Sequence, residues 1–276
     1  MADFTTSDGK CIHYTDTGSG QPLLCLAGLT RCGRDFSHLA PHVTDLRMIT
    51  MDYRGRGQSD YDADCMNYNV LREGQDAVEL LDHLGLDRVT LLGTSRGGLI
   101  AMTLAATQPH RLAGVILNDV GPVVSPQGIA RIMEYVGRAP VSKTYDQAAK
   151  AMHAALKPQF PDVPAHVWRQ QVETQYDETP DGLALRYDTK LRDALIEQAA
   201  AGPVPDLWPL FEALKGLPTG VIRGENSDIL EPDTLVEMQA RHPEMLTAVI
   251  PNRGHVPFLD ERQSISLIRS VLERTL

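Results

Sequence analysis

Three side chains carry the chemistry this sequence can perform: a serine, a histidine and an aspartate. Ser95 sits in Leu91-Leu-Gly-Thr-Ser-Arg-Gly-Gly98, a Gly-x-Ser-x-Gly pattern. The apolar run Val89 to Leu92 before it predicts a strand. The Ala-, Leu- and Met-rich run from Arg96 to Thr107 predicts a helix, stopped by Gln108-Pro109. A serine on so sharp a strand-to-helix turn is lifted out of the sheet, and the N-terminus of the helix favours negative charge developing there. Gly93 and Gly97 are needed because a Cβ at either position would collide with the neighbouring chain.

A serine hydroxyl becomes a nucleophile when a base takes its proton. Of the nine histidines, His255 is best placed, in Asn252-Arg-Gly-His-Val-Pro-Phe258, just after the last expected strand. The base in turn needs a carboxylate to hold its tautomer. Asp228 follows the strand Thr219 to Arg223 in Arg223-Gly-Glu-Asn-Ser-Asp228 and is the expected acid. Asp119, after the strand Gly114 to Asn118, is the alternative. The chain order Ser95, Asp228, His255 matches one of the known orders of a serine triad.

The elements that must position these groups alternate along the chain. A hairpin is expected over residues 1–20, with Phe4-Thr-Thr6 and Cys11-Ile-His-Tyr-Thr15 flanking the turn Ser7-Asp-Gly9. Leu23 to Ala27 and Met48 to Met51 read as buried strands. A helix is expected to begin near Asp35, and Asn69 to Leu84 has the apolar spacing of another. Short apolar strands alternating with helices predict an α/β fold with a mostly parallel central sheet flanked by helices. Ligands of such sheets bind at the carboxyl ends of the strands.

From Pro122 to Pro209 the pattern changes. Ten of the 18 prolines fall there and no buried strand is evident. The intervening segments (129–136, 145–156, 165–176 and 189–201) read as helices. We therefore expect a core of residues 1–121 and 210–276 with a helical cap, 122–209, inserted in it. The sheet resumes with Thr219 to Arg223 and Leu246 to Ile250, and a final helix is expected from Arg262 to Glu273.

Composition limits the possibilities. At 276 residues, one large α/β domain with an insertion fits. A net charge of −10 argues against nucleic-acid or anionic-membrane partners. The N-terminus has no basic and apolar leader pattern, no apolar run reaches membrane-spanning length, and Cys11, Cys25, Cys32 and Cys65 form no Cys-x-x-Cys pair. These features predict a soluble cytoplasmic protein, monomer or homodimer, acting on a small molecule. His38 and His42 are four apart, but Pro41 interrupts them and no third ligand follows, so no metal is expected.

The motifs Gly93-Thr-Ser-Arg-Gly97, Asp52-Tyr-Arg-Gly-Arg-Gly-Gln-Ser59, Arg223-Gly-Glu-Asn-Ser-Asp228 and Gly254-His255 together resemble those of α/β-hydrolase-fold serine hydrolases with a helical cap. The resemblance covers essentially the whole chain. It implies a cofactor-free esterase or lactonase. Carbon–carbon bond hydrolases, cofactor-free haloperoxidases or perhydrolases, and a low-turnover receptor on the same fold are the alternatives. It also implies an oxyanion hole made by the backbone N–H groups of Leu29 and Arg96. Relatives that use an aspartate nucleophile, the dehalogenases and epoxide hydrolases, do not fit Ser95.

The chain departs from the pattern in two places. Ala27-Gly28 stands where relatives usually carry His-Gly. Asp228 lies four residues after Gly224, where many relatives place the acid three after. Arg96 beside the nucleophile could brace the elbow through a salt bridge or face an acidic or polar group of the substrate. Arg54 and Arg56 are expected to brace loops behind the site. Met133, Tyr135, Trp168, Trp208 and Val256 are candidates to line the substrate pocket.

Overall fold

The computed structural model describes residues 2–202 and 205–276. Eight strands form one sheet: β1 (Ala2–Thr5), β2 (Cys11–Thr17), β3 (Pro22–Leu26), β4 (Arg47–Met51), β5 (Val89–Thr94), β6 (Leu112–Asn118), β9 (Thr219–Gly224) and β10 (Leu246–Ile250). Their order across the sheet is β1-β2-β4-β3-β5-β6-β9-β10. β1 and β2 pair antiparallel, as does β2 with β4, and every pairing from β4 to β10 is parallel. The central strands are buried on both faces, which is why they read as continuous apolar runs. β5 and β9 have no exposed residue at all.

Helices cover both faces. α1 (Val70–His83) and α2 (Arg96–Thr107) pack on one side, with Ala77, Leu80, Leu81, Ile100 and Leu104 in that core. The Asn69 side chain accepts from the N–H of Arg72 and caps α1, and this stops the helix where the apolar spacing begins. α7 (Trp208–Glu212) joins the same layer through Phe211. α9 (Arg262–Glu273) closes the other face with Leu267, Ile268, Val271 and Leu272. The helix expected near Asp35 is a short 3-10 turn, Gly33–Ser37. α8 (Pro232–Arg241) lies between β9 and β10.

Between β6 and β9 the chain adds no strand to the main sheet among the described residues. It forms α3 (Pro126–Tyr135), α4 (Tyr145–Leu156), α5 (Ala165–Gln175) and α6 (Leu191–Ala200). One expectation fails here, because the stretch is not wholly helical. β7 (Tyr176–Thr179) and β8 (Gly182–Leu185) make an antiparallel hairpin across Pro180-Asp181. β7 is polar and largely exposed and each strand has only four residues, so the buried-strand signal was weak. Residues 203 and 204, within the expected cap, lie outside the described residues.

This segment has its own apolar cluster, including Ala148, Phe160, Val163, Trp168, Val172 and Leu183. It is joined to the core by the Gly-Arg-Gly turn that follows β4. The N–H of Gly57 donates to Arg186 O (2.7 Å), the N–H of Asp188 donates to Gly55 O (2.8 Å), and the Tyr68 hydroxyl donates to Asp188 (2.7 Å).

Candidate active site

Ser95 has φ 50° and ψ −110°, a left-handed conformation that costs energy in any residue with a side chain. The surrounding packing leaves no other path. A Cβ on Gly97 would stand 2.1 Å from Leu26 O, and one on Gly93 would stand 2.3 Å from Gly97 O. Both contacts are far inside van der Waals limits, so only glycine lets α2 approach β3 and β5 this closely. The N–H of Ser95 donates to Asn118 O (3.0 Å), tying the turn to the end of β6.

His255 bridges two groups. Its Nε2 lies 3.0 Å from Ser95 Oγ, and its Nδ1 lies 2.7 Å from Asp119 Oδ2. The loop that carries it is pinned to β6, since Asn118 Nδ2 donates to Pro257 O at 3.2 Å.

The acid against the histidine is thus Asp119, and the expectation for Asp228 is corrected. Asp119 is fully buried and saturated with donors. Oδ1 accepts from the N–H of Gly224 (2.8 Å), and Oδ2 accepts from the Ser227 hydroxyl (2.6 Å). A carboxylate in a dry site needs this many donors to remain charged. Asp228 instead turns toward α3 and forms a two-pronged ion pair with Arg131 (2.6 and 2.8 Å). Ser227, three residues after Gly224, occupies the sequence position where an acid was anticipated, and it serves Asp119 rather than replacing it.

Of the two expected oxyanion donors, Arg96 directly follows the nucleophile, and Leu29 follows Gly28, where a Cβ would stand 4.0 Å from Ser95 Cβ. Among the described residues, the N–H groups of Leu29 and Arg96 meet no backbone acceptor outside regular elements, whereas the N–H of Gly97 is taken by Ala27 O (3.1 Å). The Leu29 segment is fixed from behind by Arg56, whose Nε donates to Leu29 O (2.9 Å).

The Arg96 side chain does not reach the site. It is buried behind the elbow, where Nε donates to Glu73 Oε2 (2.5 Å) and Nη2 donates to Tyr68 O (3.1 Å). Arg56 sits 2.7 Å from the other oxygen of Glu73, between the rings of Tyr53 and Tyr68. Burial pulls the Arg56 pKa down and the Glu73 charge opposes that shift. Arg54 is also fully buried, on Asp8, Asp62 and Asp76. These arginines brace the loops beneath the site.

The pocket candidates divide. Trp168 is 1% exposed and packs against Phe160, Phe258 and His153, so it is core of the inserted segment. Trp208 packs on Phe211 beneath Arg241, whose guanidinium lies 3.9 Å from the indole centre, in the layer around α7. Trp168 is therefore corrected from pocket to core, and Trp208 from pocket to the half-buried edge of the main core. Tyr135 is 51% exposed on α3, and Met133 is half-buried on the same helix. Val256 is half-buried next to His255. His38 stacks on Phe258, with its Nδ1 3.5 Å from Asp260.

Comparison with known proteins agrees with this architecture. Residues 21–262 match the family model of the alpha/beta hydrolase fold. The chain is 35% identical to the 3-hydroxybutyrate-oligomer hydrolase of Cupriavidus necator, over 91% of this chain and 88% of that protein. It is 25% identical to the 2-(acetamidomethylene)succinate hydrolase of Mesorhizobium japonicum, over 88% and 84% respectively. The crystal structure of an alpha/beta hydrolase from Novosphingobium aromaticivorans superposes with a TM-score of 0.92 at 41% identity, covering 99% of this chain and 97% of that one. The sheet order, the strained serine at the elbow and these matches place the chain in the α/β-hydrolase-fold family.

Proposed function

We propose that the protein is a serine hydrolase that cleaves a small carboxylic ester through an acyl-enzyme on Ser95, and that the ester joins short hydroxy acids. The observation that carries the reading is the continuous line from Asp119 through His255 to Ser95 Oγ, with hydrogen-bond distances of 2.7 and 3.0 Å. The ester class is supported by the 35% identity, over most of both chains, to a hydrolase of 3-hydroxybutyrate oligomers.

In this reading His255 takes the Ser95 proton as the oxygen attacks the ester carbonyl. Asp119 holds the Nδ1–H tautomer and stabilises the imidazolium. The N–H groups of Leu29 and Arg96 receive the oxyanion, a donor pair in which each member is worth about 3 kcal/mol of barrier. His255 returns the proton to the leaving alcohol. Water then attacks the acyl-enzyme with His255 again as base, and releases the acid. Residues 122–209 act as the cap that shapes the substrate pocket. A serine at the elbow does not fit the aspartate-nucleophile chemistry of haloalkane dehalogenases, to one of which the chain is 25% identical.

The test is a pH-stat assay with the linear dimer and trimer of 3-hydroxybutyrate, simple short-chain esters and lactones, with Ser95→Ala as the blank. Multiple turnovers on the hydroxy-acid esters, lost in Ser95→Ala, are expected. Turnover confined to lactones would overturn the linear-ester reading. Failure to cleave any ester or lactone would overturn the reading altogether.

A further inference from the structure

Arg31 stands two residues beyond Leu29, and nothing in the chemistry above uses it. Its stem lies over Gly28. A Cβ built on Gly28 would meet Arg31 Cγ at 3.3 Å and Ser95 Cβ at 4.0 Å, so the arginine and the nucleophile flank the same point. The guanidinium is held in place rather than free to sweep. Nε donates to Asp35 Oδ2 (2.5 Å), and Nη2 donates to Gln171 Oε1 (2.8 Å) on α5. Among the described residues Nη1 meets no hydrogen-bond acceptor, and the side chain stays 22% exposed.

Tyr135 on α3 and Tyr176 on β7 lie near enough for the Arg31 charge to act on their hydroxyls. Burial raises the pKa of the Tyr135 hydroxyl while the charges of Arg31 and Arg131 oppose the shift. Burial likewise raises that of Tyr176 on β7 against the pull of Arg31. Tyr135 is nevertheless half-exposed and Tyr176 only partly buried. Neither hydroxyl meets a hydrogen-bond partner among the described residues; the hydrogen bonds at Tyr176 are made by its carbonyl.

We propose that Arg31 is a specificity-determining residue that receives a carboxylate of the substrate, with the hydroxyls of Tyr135 and Tyr176 completing the cradle. This rests on the ester-hydrolase reading above. A guanidinium is always charged, and its planar donors match a carboxylate. Asp35 and Gln171 occupy two of its edges and aim the remaining donor, so the geometry is set before the ligand arrives.

The spacing fits a particular class of ester. When the leaving alcohol is itself a 3-hydroxy acid with a free carboxyl, the carboxylate carbon is four bonds from the ester carbonyl carbon. That is about 5 Å in extended form, from ordinary bond lengths near 1.5 Å. Because Arg31 Cγ and Ser95 Cβ flank the same point over Gly28, a carboxylate at that remove from a carbonyl on Ser95 is the group we expect the Arg31 guanidinium to meet. Such a contact is made equally in the ground state and the transition state, so it acts on KM more than on kcat.

The experiment compares the 3-hydroxybutyrate dimer as free acid and as methyl ester, in the wild-type protein, Arg31→Met and Arg31→Lys. The ratio of kcat/KM for acid over methyl ester is expected to fall at least ~10-fold in Arg31→Met, mostly through KM, and to recover in part in Arg31→Lys. Equal losses on both substrates would leave the ratio unchanged, mark Arg31 as a structural tie and overturn the proposal. Should the wild-type protein cleave neither, the ester reading fails by itself. Calorimetric titration of Ser95→Ala with the dimer acid then decides the site. Binding lost on adding Arg31→Met supports it. Binding unaffected by Arg31→Met, or no binding at all, overturns it.

Discussion

The carboxyl ends of β6 and β9 each present an aspartate beside the same histidine loop, and the two meet opposite fates. Asp119 is fully buried, accepts from Gly224 N–H, the Ser227 hydroxyl and His255, and pairs with no lysine or arginine among the described residues. Asp228 is one-quarter exposed and neutralised by Arg131 of α3. A carboxylate with both oxygens committed to a guanidinium has neither oxygen aimed at the imidazole. One that is held only by neutral donors keeps its full charge for the proton moving between Ser95 and His255. Chain order and strand-end position are common to both aspartates, so the donors around each one decide its role.

The sharpest way to break this contrast is Asp119→Asn. We expect kcat to fall about 10⁴-fold, because an amide that donates to His255 favours the wrong tautomer. Asp228→Asn is expected to keep kcat within about threefold. Steady-state kinetics on the same ester decide between them, and a larger loss from Asp228→Asn would reverse the assignment.

A third buried carboxylate sharpens the point. Glu73 is as buried as Asp119 but sits behind the elbow between Arg96 and Arg56. Glu73→Gln leaves two buried guanidiniums without their counter-charge. It should cost about 3–5 kcal/mol of stability by denaturant unfolding. Activity per folded molecule should fall far less than in Asp119→Asn. If it falls as far, the elbow brace and the proton path are one unit.

Ser227→Ala removes one neutral donor from Asp119. About a tenfold loss in kcat is expected, or ~1.4 kcal/mol, the worth of one hydrogen bond to a charged group. No change at all would mean that Gly224 N–H and His255 suffice. The smallest effect belongs to Arg131→Ala. Its pair with Asp228 is partly exposed, so thermal unfolding should register a stability change of at most about 1 kcal/mol.

The sequence signal for this outcome was present but pointed both ways. Asp228 falls one residue late relative to the acid of many relatives, and Ser227 stands at the expected place. That offset marks a loop whose hydroxyl, not its carboxylate, reaches the acid of the site, Asp119. Arg31 carried no comparable mark, because it lies in a loop with no periodicity and its neighbours come from residues 35, 135, 171 and 176. The hairpin of β7 and β8 was hidden for a simpler reason. Its strands are only four residues each, and β7 is polar and largely exposed, so no apolar run of strand length announces the pair.

What the sequence determined by itself is local. The Gly-x-Ser-x-Gly pattern of the elbow, the apolar runs of the parallel strands and the Asn69 cap are read from neighbouring residues, and the order of nucleophile and base follows from where strands end. Tertiary structure decided which aspartate meets His255, which arginine lies beside the nucleophile and which one is buried on Glu73, and whether Trp168 and Trp208 are pocket or core. Each of these is a competition among groups far apart in the chain for a few buried partners. A charge or an indole settles where its donors and neighbours are already placed, and residue type alone does not carry that information.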